Sequence, residues 1–210
     1  EANLEEARVA FLAGSPDSSR KAMELVRKSG RRPVFIDLTY ATEEDPSSRL
    51  RAPMAEPPGY KAPPGSLQLI AHPAAIALCI FLRQLAGAQK LLNATAHIFE
   101  PASERGRAGL DELQQQTVSL LSFRTLPARI FGAQLGFAML SSYGSDAPES
   151  LDSIELRIER HLATLLAGYP GIPMPSIRLI QAPVFHGYSI SVHLEFEAPP
   201  DVEKLASALS

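Results

Sequence analysis

The chain has 210 residues, of which 45% are hydrophobic and 20% charged, and its formal net charge is −3. This composition allows one large domain or two small ones with an ordinary core, and it excludes the disordered and fibrous classes. The balanced charge gives no basic footprint for nucleic acid, and a single cysteine excludes a disulfide framework. The longest apolar run, Ala74 to Leu82, is far shorter than the ~20 residues of a membrane helix, and no signal peptide opens the chain. We therefore expect a cytoplasmic protein that binds neither nucleic acid nor membrane.

The chain begins with a strand, a helix and a second strand. The apolar run Arg8–Gly14 predicts the first strand. The helix is expected to have Ser15 as its cap, Pro16 at its first position and Gly30 at its end. Residues Pro33–Thr39 predict the second strand. Strand, helix and strand joined by short loops are typical of a crossover unit in a parallel sheet.

The chain lacks the glycine-rich motifs that bind the phosphates of nucleotides. Neither G-x-G-x-x-G nor G-x-x-x-x-G-K-[ST] occurs anywhere in the chain.

Residues 40–66 are rich in proline and acids and predict a long surface excursion. A strand is expected at Leu67–Ala71. A helix over His72–Gly87 follows, and because it is apolar nearly all round we expect it to be buried.

The second half of the chain predicts mixed elements. Residues 90–102 predict a strand. Residues 103–121 predict a helix with one mainly apolar face, formed by Leu110, Leu113, Thr117, Leu120 and Leu121. The glycine-spaced segment Arg129–Leu140 predicts a further strand. An amphipathic helix that ends at Gly168 is predicted by the spacing of Leu151, Ile154, Ile158, Leu162 and Leu165. A final helix is expected to begin near Asp201.

The last strands carry the most regular pattern in the chain. Residues 188–196 alternate apolar and polar without a break, which predicts a strand with one buried face and one wet face. Ile177–Ala182 predicts a second strand that meets it. Gln181, His186 and Tyr188 form a polar cluster at the meeting point, where a site could be mounted.

These motifs, in this order, resemble a known family. P-V-F-x-G-[HY] at residues 183–188 and G-R-A-G-L-D-E-L-Q-Q-Q-T at residues 106–117 are similar to aspartate-semialdehyde dehydrogenases, and Q-A-P-V-F and S-E-R-G to their Usg-like branch. The resemblance implies an α/β (α+β) fold. Residues 1–75 would be the remnant of a Rossmann-like NAD(P)-binding domain. Residues 76–210 would be a semialdehyde-dehydrogenase dimerisation domain with a mixed, largely antiparallel sheet covered by helices. It also implies that the chain is trimmed at both ends.

The resemblance also assigns catalytic positions. Making an acyl phosphate from an aldehyde needs an activated thiolate, a base and a cofactor that accepts hydride. By resemblance, the nucleophile's position falls on Ala75, the base's on Tyr188 and the positioning glutamine's on Glu100. Alanine has no lone pair to attack a carbonyl. The resemblance therefore predicts that the chain does not oxidise aspartate semialdehyde.

Three further residues are expected to line the substrate pocket. The resemblance places the family's substrate arginine on Glu155, with Asp152 one helical turn before it. This exchange would turn a carboxylate-binding position from positive to negative. Gln181 is the third pocket residue that we expect.

A neighbouring cysteine and histidine offer an alternative active site. Cys79 lies one helical turn past Ala75, and His186 lies two residues before Tyr188, so the two would form a nucleophile–base dyad. Against this hypothesis, Cys79 stands in a wholly apolar helix, where a free cysteine is normally inert packing.

The remaining ionisable residues give weaker indications. The four histidines outside this cluster have no ligand spacing, so no metal site is predicted; they are His72, His97, His161 and His193. Arg105 and Arg107 could bind a phosphate or simply begin a solvated helix.

Three functions therefore stand as alternatives. One is a catalytically inactive, dimeric binding or scaffold module, and the second is an NAD(P)-dependent semialdehyde dehydrogenase or related oxidoreductase of altered chemistry. The third is a subunit that forms a heteromer with an active relative. We expect a homodimer through residues 88–197, because a sheet with a wide polar face is readily covered by a second copy. No cofactor is expected in this chain, whereas NADP would depend on a segment upstream of Glu1.

Overall fold

The computed structural model describes residues 7–29, 33–57, 59–61 and 67–209. The chain divides into two compact units, Glu1–Ile76 and Ala77–Ser210. Each unit is built on its own sheet. Within the described ranges, no helix is both long and apolar enough to cross a bilayer.

The first unit is a four-stranded parallel sheet in the order β1-β2-β4-β3. Ala10, Leu12 and Phe35 on the strands are buried against Met23 and Val26 of the first helix. One apolar face of the sheet therefore meets one apolar stripe of a helix, as the sequence pattern predicts. The elements are β1 (Val9–Leu12), α1 (Pro16–Ser29), β2 (Val34–Asp37), β3 (Ser48–Arg51), β4 (Leu67–Ile70) and α2 (Pro73–Ala88), which continues into the second unit.

Most predictions for this unit are confirmed, and one strand was missed. The predicted strands and both helices are present, while Gly30, expected to end α1, lies outside the described residues. The segment predicted as a surface excursion contains β3, which pairs with β4 along its whole length. β3 is an edge strand with a single apolar residue, Leu50, and none of its four residues is buried. Backbone pairing alone defines β3, so no hydrophobic period reports it.

The second unit has a mixed three-stranded sheet in the order β6-β5-β7. β6 is parallel to β5 and β7 antiparallel. The two strands predicted to meet each other are therefore separated by β5, and that part of the prediction is wrong. The elements are β5 (Leu91–Glu100), a 3₁₀ turn (Ala102–Arg105), α3 (Gly106–Leu121), α4 (Leu151–Leu166), β6 (Ser176–Gln181), β7 (Ser189–Phe196) and α5 (Val202–Ala208).

One face of this sheet is apolar and covered, and the other is polar and open. Ala96, Ile98 and Leu179 are fully buried on the covered face. On the open face His97 and His193 are exposed, as the alternation along β7 predicts. The predicted apolar stripe of α4 is confirmed, because five of its members are buried: Leu151, Ile154, Ile158, Leu162 and Leu165.

The strand predicted at Arg129–Leu140 does not exist. Its residues run as an irregular segment, here called the strap (residues 127–140), which touches the sheet by a single bridge between Leu140 and Gln181. The carboxylate of Glu112 accepts the backbone N–H groups of Arg129, Ile130 and Phe131, at 2.7, 2.8 and 3.1 Å. A side chain of α3 thus supplies the acceptors that a neighbouring strand would have provided.

Gln116, one turn further along α3, fastens the other end of the strap. Its Oε1 accepts the N–H groups of Leu135 and Gly136, and its Nε2 donates to the carbonyls of Pro127 and Ala133. The buried side of α3 therefore contains two polar residues as well as Leu113. The predicted leucine face is wrong at its end, because Leu121 is exposed.

Gly132 in the strap and Gly144 just after it allow the two segments of backbone to pass close to each other. Gly144 donates its N–H to the carbonyl of Phe131 at 3.0 Å. A Cβ added to Gly144 would lie 2.0 Å from the carbonyl oxygen of Gly132. No side chain fits in that space, so the crossing requires glycine at this position.

Candidate functional site

A buried acid ends the central strand of the second unit. Glu100 is the last residue of β5 and has no exposed surface. Pro101 cannot donate to the ladder, and the 3₁₀ turn that follows brings Arg105 back over the strand end. The guanidinium NH2 of Arg105 donates to Oε1 of Glu100 at 3.0 Å. The turn thus places a cation beside the buried carboxyl.

The ion pair extends into a chain of alternating charges. Arg105 also donates to Oε2 of Glu149 at 2.8 Å, and Arg157 donates to Oε1 of the same carboxylate at 3.0 Å. Glu149 stands just before Ser150, which caps α4, and Arg157 lies on that helix. The network therefore ties the end of β5 to the beginning of α4.

The Glu100 carboxyl is only partly satisfied. Its Oε2 is buried and has no hydrogen-bond partner, and the same is true of Nε of Arg105. Burial raises the pKa of Glu100 to about 7, although the neighbouring charge of Arg105 opposes the shift. The loss of solvent around the carboxyl raises its pKa more than the ion pair lowers it, because one cation serves only one of the two oxygens. Glu100 therefore exchanges its proton near neutral pH.

Gln181 lies next to Glu100 on the neighbouring strand. The two residues are register partners of β6 and β5. The amide Nε2 of Gln181 donates to the carbonyl oxygen of Glu100 at 2.8 Å, and its Oε1 accepts the hydroxyl of Tyr143 at 2.5 Å. Burial raises the pKa of Tyr143 above its usual range, so the phenol stays protonated and donates. Glu100, Arg105, Glu149, Gln181 and Tyr143 together form what we call the Glu100 cluster.

The loop that holds the other predicted site residues crosses the same turn. The N–H groups of Ala102 and Ser103 donate to the carbonyls of Val184 and Phe185 at 2.8 and 3.0 Å. His186, which follows, is exposed, while the hydroxyl oxygen of Tyr188 is buried. Of the predicted polar cluster, the structure thus places Gln181 beside Glu100 and leaves the His186 side chain in solvent.

Ala75 and Cys79 are both packed inside helix α2. Neither has any exposed surface. Burial raises the pKa of the Cys79 thiol, with Arg83 opposing the shift. A nucleophilic cysteine needs the opposite, a lowered pKa and access to solvent. Because His186 is exposed and Cys79 is buried, the structure does not support the predicted dyad.

The predicted pocket acids lie at the edge of the sheet rather than in the Glu100 cluster. The carboxylate of Glu155 accepts the N–H of Leu179 at 2.5 Å and pairs with Arg178 at 3.2 Å. Asp152 is exposed and lies 3.9 Å from the same guanidinium. Glu155 therefore attaches α4 to β6, and the structure brings neither acid to Gln181.

Sequence reasoning missed most of the Glu100 cluster. Arg105 was expected to bind phosphate or to be solvated, but it is buried between two carboxylates. Tyr143 and Glu149 lie in an irregular segment, where no period indicates which side chains turn inward. Among the residues that the structure describes, no group of three or more His, Cys, Asp or Glu side chains could hold a metal ion.

Comparisons with known proteins agree with this architecture. A USG-1 protein homolog from Pseudomonas aeruginosa is 34% identical over 206 residues, which are 96% of this chain and 59% of that protein. An aspartate-semialdehyde dehydrogenase from Rickettsia bellii is 29% identical over 135 residues, which are 64% of this chain and 39% of that protein. No family model matches the chain.

Solved structures give the same result. A probable aspartate-semialdehyde dehydrogenase from Pseudomonas aeruginosa superposes with a TM-score of 0.81 at 29% identity, over 98% of this chain and 60% of that one. Aspartate-semialdehyde dehydrogenase II of Vibrio cholerae, solved with ASA, has a TM-score of 0.78 at 21% identity over 98% of this chain and 60% of its own. At that identity the likeness concerns the fold alone.

The fold is thus a Rossmann-like parallel unit followed by a mixed α/β unit of the semialdehyde-dehydrogenase type. In sequence the chain is similar to aspartate-semialdehyde dehydrogenases and to USG-1 protein homologs. It spans 59% of the length of the USG-1 protein homolog that it matches.

Proposed function

We propose that this chain is a USG-1-like member of the family that lacks acyl-phosphate chemistry and acts as a dimeric binding or scaffold module. The observation that carries the proposal is the side chain at position 75. By resemblance this is the nucleophile's position, and Ala75 presents a methyl group with no exposed surface. Loss of a covalent nucleophile typically removes a factor of about 10⁴–10⁶ in rate.

The other positions assigned by resemblance support the proposal. Glu100 replaces the positioning glutamine, and Arg105 engages its carboxylate. Tyr188 replaces the base. Glu155 replaces the substrate arginine and is occupied by the backbone of β6. A substrate carboxylate would meet an anion at that position, so recognition would be lost together with reactivity.

The open sheet face supports a homodimer. Ser191, His193 and Arg178 are exposed there on β7 and β6, and His97 lies between them on β5. A face of this kind suits a second copy, since non-obligate interfaces are no more apolar than the rest of a protein surface. An active relative is the alternative partner, and failure to co-purify with one while self-association persists would exclude that heteromer.

The cofactor and setting follow from the family. A structure of aspartate-semialdehyde dehydrogenase from Candida albicans contains NADP and shares this fold, with a TM-score of 0.63 at 15% identity. We assign NADP binding to the full-length protein rather than to this chain, in which no glycine fingerprint occurs. The expected compartment is the cytoplasm.

An activity assay tests the proposal. The full-length protein is supplied with aspartate semialdehyde, phosphate and NADP, and NADPH formation is followed beside an active family member. We expect a rate at least about 10⁴ lower than that of the active enzyme. The Cys79→Ala variant serves as the matched control, since it removes the sole thiol of the 210-residue chain. Turnover in the wild type that is lost in Cys79→Ala would overturn the proposal.

The Glu100 cluster favours a second candidate, an enzyme of altered chemistry. A buried carboxyl with a pKa of about 7 and an unpartnered oxygen has the properties of a general acid or base. Small aldehydes, amines and carboxylates are screened for an increase in melting temperature, with Glu100→Gln as control. A ligand that stabilises only the wild type supports this candidate, and a panel without any shift contradicts it.

A further inference from the structure

The outer side of helix α3 and the chain beside it expose an unusual amount of apolar surface. Phe123 is 99% exposed and Leu121 70% exposed at the end of the helix, and Phe137 of the strap is 69% exposed. Gly136 lies against Leu120, which places Phe137 beside the last turn of α3. We call this surface the α3 patch: Val118, Leu121, Phe123, Phe137 and Met139.

The two phenylalanines are held outward by ordered backbone. Phe123 has φ +55° and Phe137 has φ +61°, a left-handed region that bulky residues rarely adopt. The turn after α3 is closed by Arg124, whose N–H donates to the carbonyl of Ser119 at 2.9 Å. A fully exposed aromatic ring in a strained conformation gains nothing within one copy of the chain. Such residues are typical of binding surfaces.

A groove lies directly beside the α3 patch. It has a volume of about 700 Å³, and its apolar lining comes from Val118, Leu126 and Pro127. Gln114 and Gln115 supply polar rim groups. Phe123 directly precedes Arg124, which lines the groove, so an exposed ring and an open groove lie next to each other at the end of α3.

The charges at the groove are also self-complementary. Asp111 lines one end, and Arg124 lines the other, after the end of α3. Ten helical residues separate Asp111 from Leu121, which corresponds to about 15 Å along the axis. Arg124 makes no ion pair with any residue in the described ranges, whereas Asp111 pairs only with the exposed Arg107. An antiparallel copy would bring each Arg124 to the opposite Asp111.

We propose that the α3 patch is a contact between two copies of this chain around a twofold axis. The two α3 helices run antiparallel, Phe123 of each copy enters the groove of the other, and Arg124 faces Asp111 of the partner subunit. A twofold contact requires a surface that complements itself, and this surface does so in shape and in charge. Buried aromatic anchors with a charged rim are the usual composition of interface centres.

The exposed area is consistent with such a contact. At roughly 200 Å² for each fully exposed ring, Phe123 and Phe137 present on the order of 300 Å². Val118, Leu121 and Met139 extend that area, and the groove walls add to it. A standard interface buries about 800 Å² on each partner. The patch therefore supplies the apolar centre of an interface rather than the whole of it.

This inference rests on the proposed self-association but uses a different surface. The homodimer proposed above covers the open sheet face, whereas the α3 patch lies on α3 and the strap. Two different twofold contacts give a closed tetramer when their axes intersect at right angles, and a dimer of dimers of this kind is the assembly that we expect. The two surfaces can be disrupted by separate substitutions, so each proposed contact can be refuted without the other.

Sedimentation equilibrium of the 210-residue chain tests the inference. We expect the wild type to form tetramers and Phe123→Ser to form dimers, with the dissociation constant of the tetramer raised at least about 30-fold. Arg124→Asp weakens the tetramer, and the double variant Arg124→Asp/Asp111→Lys restores it. Phe11→Ser, at a 68% exposed position of β1, is the matched control and leaves association unchanged. Circular dichroism verifies that each variant is folded.

The outcomes separate the two proposals. Association that is equal in Phe123→Ser and the wild type overturns the α3 contact. Ser191→Arg on the open sheet face is expected to disrupt the dimer that Phe123→Ser leaves. If Ser191→Arg has no effect while Phe123→Ser yields monomers, the α3 contact stands and the sheet-face dimer is excluded. A wild type that stays monomeric at about 100 μM excludes both.

Discussion

Replacing Glu100 by glutamine tests the electrostatics of the Glu100 cluster. The pKa of Glu100 is raised from 4.5 to about 7 by burial. The difference corresponds to roughly 3 kcal/mol at 1.36 kcal/mol per pH unit. Because the folded state holds this proton more tightly than the unfolded state, the ionised carboxyl lowers the free energy of unfolding by this full amount above pH 7. This loss is relieved progressively as the pH falls toward 4.5.

Glu100→Gln removes this cost, since the amide mimics the protonated acid. The variant should be more stable than the wild type at pH 8, and its advantage should shrink by about 2 kcal/mol between pH 8 and pH 5.5. All other ionisable groups are common to both proteins and cancel in the difference.

Urea unfolding at pH 5.5, 6.5, 7.5 and 8.0, followed by far-UV circular dichroism, measures this difference. Glu195→Gln is the matched control, because it makes the same exchange at an exposed position of β7 and should change the free energy of unfolding by less than about 0.5 kcal/mol at each pH. The reasoning fails if the difference in free energy of unfolding between Glu100→Gln and the wild type stays constant, or shrinks as the pH rises. Either result would show that pairing with Arg105 outweighs burial.

Two further substitutions test the strap and the crossing. Glu112→Ala leaves three backbone N–H groups without their acceptor, of which that of Phe131 is buried, and should lower the free energy of unfolding by about 2 kcal/mol or more. The exposed Gln115→Ala should change it by less than about 0.5 kcal/mol, and equal urea midpoints would contradict the assigned role. Gly144→Ala puts a Cβ 2.0 Å from a carbonyl oxygen and should be severely destabilising. The control Gly171→Ala meets nothing within 4 Å and should leave the melting temperature unchanged. Similar melting temperatures for the two variants would show that the crossing is not tight.

The elements that sequence reasoning predicted are those with a clear hydrophobic period. Helix α4 repeats its apolar residues at helical spacing, and all five predicted members of its stripe are buried. Strand β7 alternates along its whole length. In both, the apolar residues fall on the less exposed face, which is buried in α4 and half-buried in β7, and the sequence records that face directly.

The failures have the opposite cause. The strap is organised by Glu112 and Gln116, whose polar side chains hold backbone groups 11 to 20 residues away. The Glu100 cluster depends on Arg105 and Glu149, which are separated by 44 residues. Contacts of this kind join single side chains across long loops. They leave no repeat in the sequence, so a period-based prediction cannot find them.

The way in which the strap is fastened changes how its loss would be observed. Since Glu112 and Gln116 bind its backbone rather than its side chains, most strap residues are free to diverge between relatives without altering its course. The exceptions within the strap are Phe131 and Leu135, whose side chains are fully buried, and Gly132 at the crossing. Detachment of the strap would leave every helix and strand in place, so far-UV spectroscopy would record an unchanged protein. Proteolysis or hydrogen exchange at Arg129–Phe131 would detect the change.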